Sequence, residues 1–124
     1  MSSASHASPA ARIESVQNIP VVVMTGPLDT GSIPAFDAQV ASLLTEPHRR
    51  ILMDLEAVTF ISSLGLRSLL RLIKHAAASG GRAALFAVPA PILEVIEMTG
   101  FSSLVDLYPD RASALSSSID AAAR

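Results

Sequence analysis

No cysteine occurs in the 124 residues of this chain. A disulfide framework and a thiolate metal site are therefore excluded, and an intracellular address is the simpler reading. Charge of either sign is sparse: Lys and Arg number 9 against 11 Asp and Glu, for a formal net charge of -2. That balance supplies no basic tail to neutralise phosphates, so sequence-independent nucleic-acid binding is not expected. No apolar run approaches the roughly 20 residues needed to span a bilayer, so membrane insertion is not expected and the protein reads as cytoplasmic. The Gly-x-x-x-x-Gly-Lys phosphate loop is missing, which leaves a nucleotide-binding module with little support. His6, His48 and His75 are scattered without a second clustered ligand, so no metal or other cofactor is expected.

What is present fits one globular domain. Half of the residues are hydrophobic, 50%, too many for a disordered chain and enough for one core at this length. The Ser- and Ala-rich opening, residues 1–11, reads as a flexible lead-in with no apolar stretch of signal-peptide type, and residues 12–124 as the domain.

Within it, strands alternate with one-sided helices. Arg12 to Val16 is a candidate edge strand. Val21 to Thr25 is a β-branched run between Pro20 and Gly26, a buried strand. A turn cluster, Gly26 to Gly31, follows. Ser32 then stands as the N-cap of a helix with Ile33, Phe36, Val40, Leu43 and Leu44 on its apolar stripe, ending near Pro47. Ile51 to Leu55 is a second buried strand and Ala83 to Val88 a third. Between them lies a helix with Leu66, Leu69, Leu70, Ile73 and Ala77 inward and Arg67, Arg71, Lys74 and His75 outward, stopped by Gly80-Gly81. A third helix starts at Pro91, with Ile92, Val95, Ile96 and Thr99 inward, Glu94 and Glu97 outward, and Gly100 at its end. Leu104 to Leu107 is a short final strand, and a terminal helix capped by Asp110 reaches about Ala122. This alternation predicts an α/β fold with parallel strands joined by right-handed crossovers. The first two strands are too close in sequence for a crossover and should form an antiparallel hairpin, so the sheet is mixed, with helices packed against it.

The most informative stretch is Asp54-Leu-Glu-Ala-Val-Thr-Phe-Ile-Ser-Ser-Leu-Gly-Leu-Arg67. A buried strand runs into a short loop, and Ser62 and Ser63 open the amphipathic helix. Free backbone N–H groups and the helix dipole favour negative charge there, so a serine at this place is suited to carrying phosphate. Ser63 is also read as an ordinary N-cap of that helix. Hydrolase chemistry would need a His base, an orienting acid and an oxyanion hole, and Ser62-Ser63-Leu64-Gly65 lacks the Gly-x-Ser-x-Gly elbow. An enzyme is not expected.

The arrangement resembles the STAS domain of bacterial anti-sigma-factor antagonists, from about Ile13 to Leu115. The residues that carry the resemblance are Ile51-Leu-Met-Asp54, then Val58-Thr-Phe60-Ile61, then Ser62-Ser63-Leu64-Gly65-Leu66-Arg67. Gly26-x-Leu28-Asp29 and Met98-Thr-Gly-Phe101 support them. The resemblance implies a switch. A serine two residues before the glycine, Ser63 here, is phosphorylated by a GHKL-type serine kinase that is also the anti-sigma factor. The unphosphorylated form binds that kinase and frees a sigma factor, and a serine phosphatase resets the cycle. Many members carry Asp before the acceptor, where this chain has Ser62, and often a small residue after it, where this chain has Leu64. Asp29, Ser62, Leu64, Gly65, Leu66 and Arg67 are the expected partner-binding residues. The alternative is an unphosphorylated STAS accessory subunit of an ABC transporter or another signalling assembly.

Several of these residues carry two readings. Asp29 either orients the hydroxyl or a kinase contact, or makes an Asx turn. Gly65 either admits a partner's close approach or serves a tight strand-to-helix turn. Arg67, Arg71 and Lys74 either meet an acidic partner face or are a solvated helix surface. Asp54, near the C-terminal end of its strand, is read as structural and hydrogen-bonded to loop backbone. Glu56 is a solvated loop residue.

Overall fold

The computed structural model describes residues 11–122, so the lead-in up to residue 10 lies outside them. Ala11, assigned to the lead-in by sequence, is buried as the first residue of strand β1 (Ala11–Val16). Strand β2 (Ile19–Leu28) returns antiparallel to it, with Val16 opposite Ile19. The turn is Gln17-Asn18, both at positive φ, 50° and 68°. Two successive left-handed residues are what a tight hairpin needs to match strand twist.

From β2 onward all pairs are parallel. Helix α1 (Ile33–Val40) leads to β3 (Leu52–Ile61), α2 (Ser63–Ala78) to β4 (Ala83–Phe86), and α3 (Ala90–Met98) to β5 (Val105–Tyr108). Helix α4 (Arg111–Ala122) closes the chain. Strand order in the sheet equals order in the chain, β1-β2-β3-β4-β5. Each crossover therefore steps in one direction, and crossovers of one hand put their helices on one face. The larger core follows: Val22, Met24, Met53 and Leu85 of the sheet pack with Phe36, Leu69, Leu72 and Ile96 of α1, α2 and α3. On the other face Val21, Val23, Leu52, Ala84 and Phe86 meet Ala114 of α4. Burial on both faces explains why the centre of β2 reads as a continuous apolar run instead of alternating.

The structure corrects several details of the sequence reading. Strand β3 continues to Ile61, where a loop was expected after Leu55. Its register with β2 jumps from Val23–Asp54 to Thr25–Ala57, so β3 carries an extra residue, a bulge. Asp54 Oδ1 accepts the Glu56 N–H at 3.0 Å across that bulge. Asp54 thus lies near the start of its strand, not its end. Glu56 is exposed but is a strand residue. Helix α1 stops at Val40 and continues as a 3-10 turn, Ala41–Leu44, that still buries Leu43. On α2 the buried stripe is Gly65, Ser68, Leu69, Leu72, Ile73 and Ala76, while Ala77 is exposed. Thr99 is exposed as the C-cap of α3, its hydroxyl donating to Ile96 O. Strand β4 ends at Phe86 because Ala87 takes a positive φ of 55°.

Candidate functional site

Strands β2 and β3 reach past the end of β4, which meets β3 only at Leu52, Met53 and Asp54. At the tip of this two-stranded ribbon Leu28 lies opposite Ile61. Two connections leave from there: the turn into α1, and the junction Ser62-Ser63 into α2.

The two serines differ sharply in what their hydroxyls do. Ser62 is extended (φ -92, ψ 175), and it, not Ser63 as the sequence suggested, is the N-cap of α2. Its Oγ accepts the Gly65 N–H at 3.2 Å and donates to Leu28 O at 3.1 Å. Its own N–H donates to the same Leu28 carbonyl at 2.9 Å. Ser63, the first helical residue, is exposed, and its hydroxyl forms no hydrogen bond with the described residues. No acidic residue stands in the first turn of α2, and the N–H groups of a first turn have no intrahelical acceptor. Negative charge added at Ser63 therefore meets donors and the positive end of the helix dipole.

Gly65 is explained from within. A Cβ there would lie 2.6 Å from Leu28 O and 2.9 Å from both Leu28 Cβ and Ile61 Cγ1. The obstructing carbonyl is backbone and already receives both Ser62 bonds, so it has no freedom to move aside. The glycine lets the first turn of α2 sit directly on the end of β2.

Asp29 forms the Asx turn. Its Oδ1 accepts the Gly31 N–H at 3.0 Å and the Ser32 N–H at 3.2 Å. Ser32 occupies the N-cap position of α1 without capping a helix amide; its hydroxyl donates to Pro27 O at 2.6 Å and accepts the Asp29 N–H at 3.0 Å. These bonds fix the turn beside the serine junction through Leu28. Leu64 and Leu66 are half-buried against the larger core, and Arg67 is exposed.

Two features were not found by sequence reasoning. Phe60 is 55% exposed although it lies in an apolar-looking motif. A second register shift in β3, between the Gly26–Val58 and Pro27–Phe60 pairs, places it outward opposite exposed Pro27. Nothing in the apolar pattern signals that shift. Ser68, buried on α2, donates to Asp37 Oδ1 of α1 at 2.8 Å, and Arg71 approaches Asp37 at 3.7 Å. Arg71 is thus tied to α1. Arg67 and Lys74 form no ion pair among the described residues and leave the stripe basic.

The described residues contain no group of three His, Cys, Asp or Glu side chains able to hold a metal; the His48 and His75 rings lie 6.3 Å apart, and His75 Nε2 is hydrogen-bonded to Glu46 O at 2.7 Å. No helix among them is long and apolar enough to cross a membrane.

Comparison with known proteins finds relatives of both the sequence and the fold. A candidate anti-sigma factor antagonist named BtrV, from Bordetella bronchiseptica, is 24% identical over 102 residues, 82% of this chain and 88% of that protein. An anti-sigma factor antagonist from Mycobacterium paratuberculosis has the same fold, with a TM-score of 0.76 at 24% identity over 86% of this chain and 91% of its own. The Bacillus cell fate determinant SpoIIAA, in its phosphorylated form, gives a TM-score of 0.69 at 18% identity over 86% of this chain and 97% of its own. The STAS domain profile matches residues 10–114, which takes in every strand of the sheet and the serine junction, and the chain belongs to the STAS domain family.

Proposed function

We propose that this chain is an anti-sigma-factor antagonist, a non-catalytic cytoplasmic switch controlled by phosphorylation of Ser63. Unphosphorylated, it binds an anti-sigma factor that is also a GHKL-type serine kinase, and a sigma factor is freed. Phosphorylated, it is released until a serine phosphatase restores it. The observation that carries this reading is the divergence of the two serines: the Ser62 hydroxyl is spent on Leu28 O and Gly65 N–H, while the Ser63 hydroxyl is exposed. The similarity to SpoIIAA, a fold relative that exists in a phosphorylated form, supports it.

A phosphate adds about -1.5 to -2 charge at neutral pH. At Ser63 that charge meets a helix N-terminus with no acidic residue in its first turn, so the domain keeps its fold. The effect falls on the bound partner, through bulk and through repulsion of any carboxylates it presents. Asp29, Ser62, Leu64, Gly65, Leu66 and Arg67 are the partner-binding set. Ser62, Gly65 and Asp29 shape the backbone; Leu64 and Arg67 offer side chains.

Peptide mass spectrometry of the protein from its native cells tests the reading. The expected result is one phosphate on the peptide spanning Ser62 and Ser63, lost in Ser63→Ala and kept in Ser62→Ala. Unmodified protein in both growth and stress, held in a stable complex with a transporter ATPase, would overturn it in favour of an accessory subunit.

A further inference from the structure

The two layers that cover the sheet are attached by different physics. Helices α1, α2 and α3 bury large apolar side chains, among them Phe36, Leu69, Leu72 and Ile96. Over residues 111–120, those of helix α4 whose burial is described, only Ala114 and Ser118 are fully buried, with Leu115 and Ile119 half-buried beside them. Its sequence, Arg-Ala-Ser-Ala-Leu-Ser-Ser-Ser-Ile-Asp-Ala-Ala, is rich in serine, a poorer helix former than alanine. A helix of about 12 residues is marginal without tertiary support.

Polar contacts add to that support. Arg50 Nε donates to Ser118 Oγ at 2.8 Å, and its terminal nitrogens donate to Asp106 Oδ2 at 2.7 Å and the Tyr108 hydroxyl at 3.1 Å. Tyr108 also bonds Ser117 Oγ at 2.7 Å. At the other end of α4, Arg111 donates to Glu14 Oε1 at 2.8 Å, lies 3.7 Å from Asp54 Oδ2, and covers the Phe86 ring at 5.8 Å. The Arg111 and Glu14 side chains stay more than a third and about a third exposed, 37% and 34%, so salt screens this pair.

We propose that α4 is a polar-latched lid. It lifts from the sheet as a unit while the three-helix layer stays folded, and so uncovers Val21, Val23, Leu52, Ala84 and Phe86. Salt, or any ligand competing for Arg50 or Arg111, promotes the opening. The lid is independent of whether Ser63 is phosphorylated.

The absence of native cysteine allows a direct test. Ala83 and Ala84 are neighbours on β4, both fully buried, Ala83 under the three-helix layer and Ala84 under α4. Single variants Ala83→Cys and Ala84→Cys are each exposed to a thiol reagent under native conditions. The expected result is labelling of Ala84→Cys at least about a hundredfold faster than Ala83→Cys, the signature of sub-global opening. Adding Arg111→Gln, or raising NaCl from 0.05 to about 1 M, should speed Ala84→Cys by about fivefold. A second pair, Ala114→Cys on α4 and Ala76→Cys on α2, carries the same comparison should an Ala84 or Ala83 variant fail to fold. Equal labelling rates within a pair would mean that both faces open only on global unfolding and would overturn the lid.

Discussion

Ser62 turns its hydroxyl inward, to Leu28 O and Gly65 N–H, and Ser63 turns its own to solvent. Replacing each should therefore register in different assays. Ser62→Ala removes a cap and should lower stability by about 1 kcal/mol in urea titration. Ser63→Ala should change stability by less than about 0.5 kcal/mol, as exposed substitutions do, while abolishing any phosphate at the junction. Gly65→Ala sets two effects against each other. Alanine gains up to about 1 kcal/mol of helix propensity over glycine, but its Cβ would stand 2.6 Å from a backbone carbonyl. Overpacking of this kind costs about 1–3 kcal/mol, so the net change should be destabilising; a higher urea midpoint would contradict the packing account. The serine pair and the glycine were legible in the sequence as a site. Which serine is the cap was not, because that depends on the carbonyl of Leu28, a strand away in space and 34 residues away in sequence.

At the scale of elements, the existence and order of strands and helices were legible throughout, and their phases and lengths were less so. Helix α2 shows why. Leu66, Leu69, Leu70, Leu72 and Ile73 are so nearly continuous that periodicity identifies a helix without choosing its inward direction. The choice is made by the Gly65 contact with Leu28, which rotates Leu72 and Ala76 inward and Ala77 outward. Leu72→Ala should then cost about 2–5 kcal/mol as a buried large-to-small change, whereas Ala77→Glu should stay within about 0.5 kcal/mol; the reverse order in thermal or urea unfolding would refute this phase. Strand β3 was cut short in the sequence reading for a related reason. Beyond its bulge Glu56, Ala57, Thr59 and Phe60 are exposed, so the apolar signal of a buried strand stops while backbone pairing with β2 continues.

Across the whole molecule, the contacts least visible in the sequence are polar ones between distant segments. Asp106 of β5 receives Arg50 at 2.7 Å and Arg82 at 2.8 Å, joining the starts of three parallel strands. Burial alone would raise the Asp106 carboxyl, but hydrogen bonds and charge from Arg50 and Arg82 outweigh it and hold its pKa below the ordinary value. A carboxyl depressed in the folded state adds stability that is complete above its unfolded pKa, about 4, and is lost as pH falls through the folded value. Asp106→Asn should therefore be less stable than the parent at pH 7, with the gap closing as the pH is lowered past about 4; a gap unchanged by pH would exclude the linkage. Sparse charge in the composition gave no hint that arginines would be used this way. The order of strands has a different consequence, for synthesis on the ribosome. Because each strand joins the sheet next to its predecessor, every new strand emerges with its pairing edge already made. No strand waits for a later one to be inserted beside it, so the sheet is suited to growing from the N-terminus outward as the chain is translated.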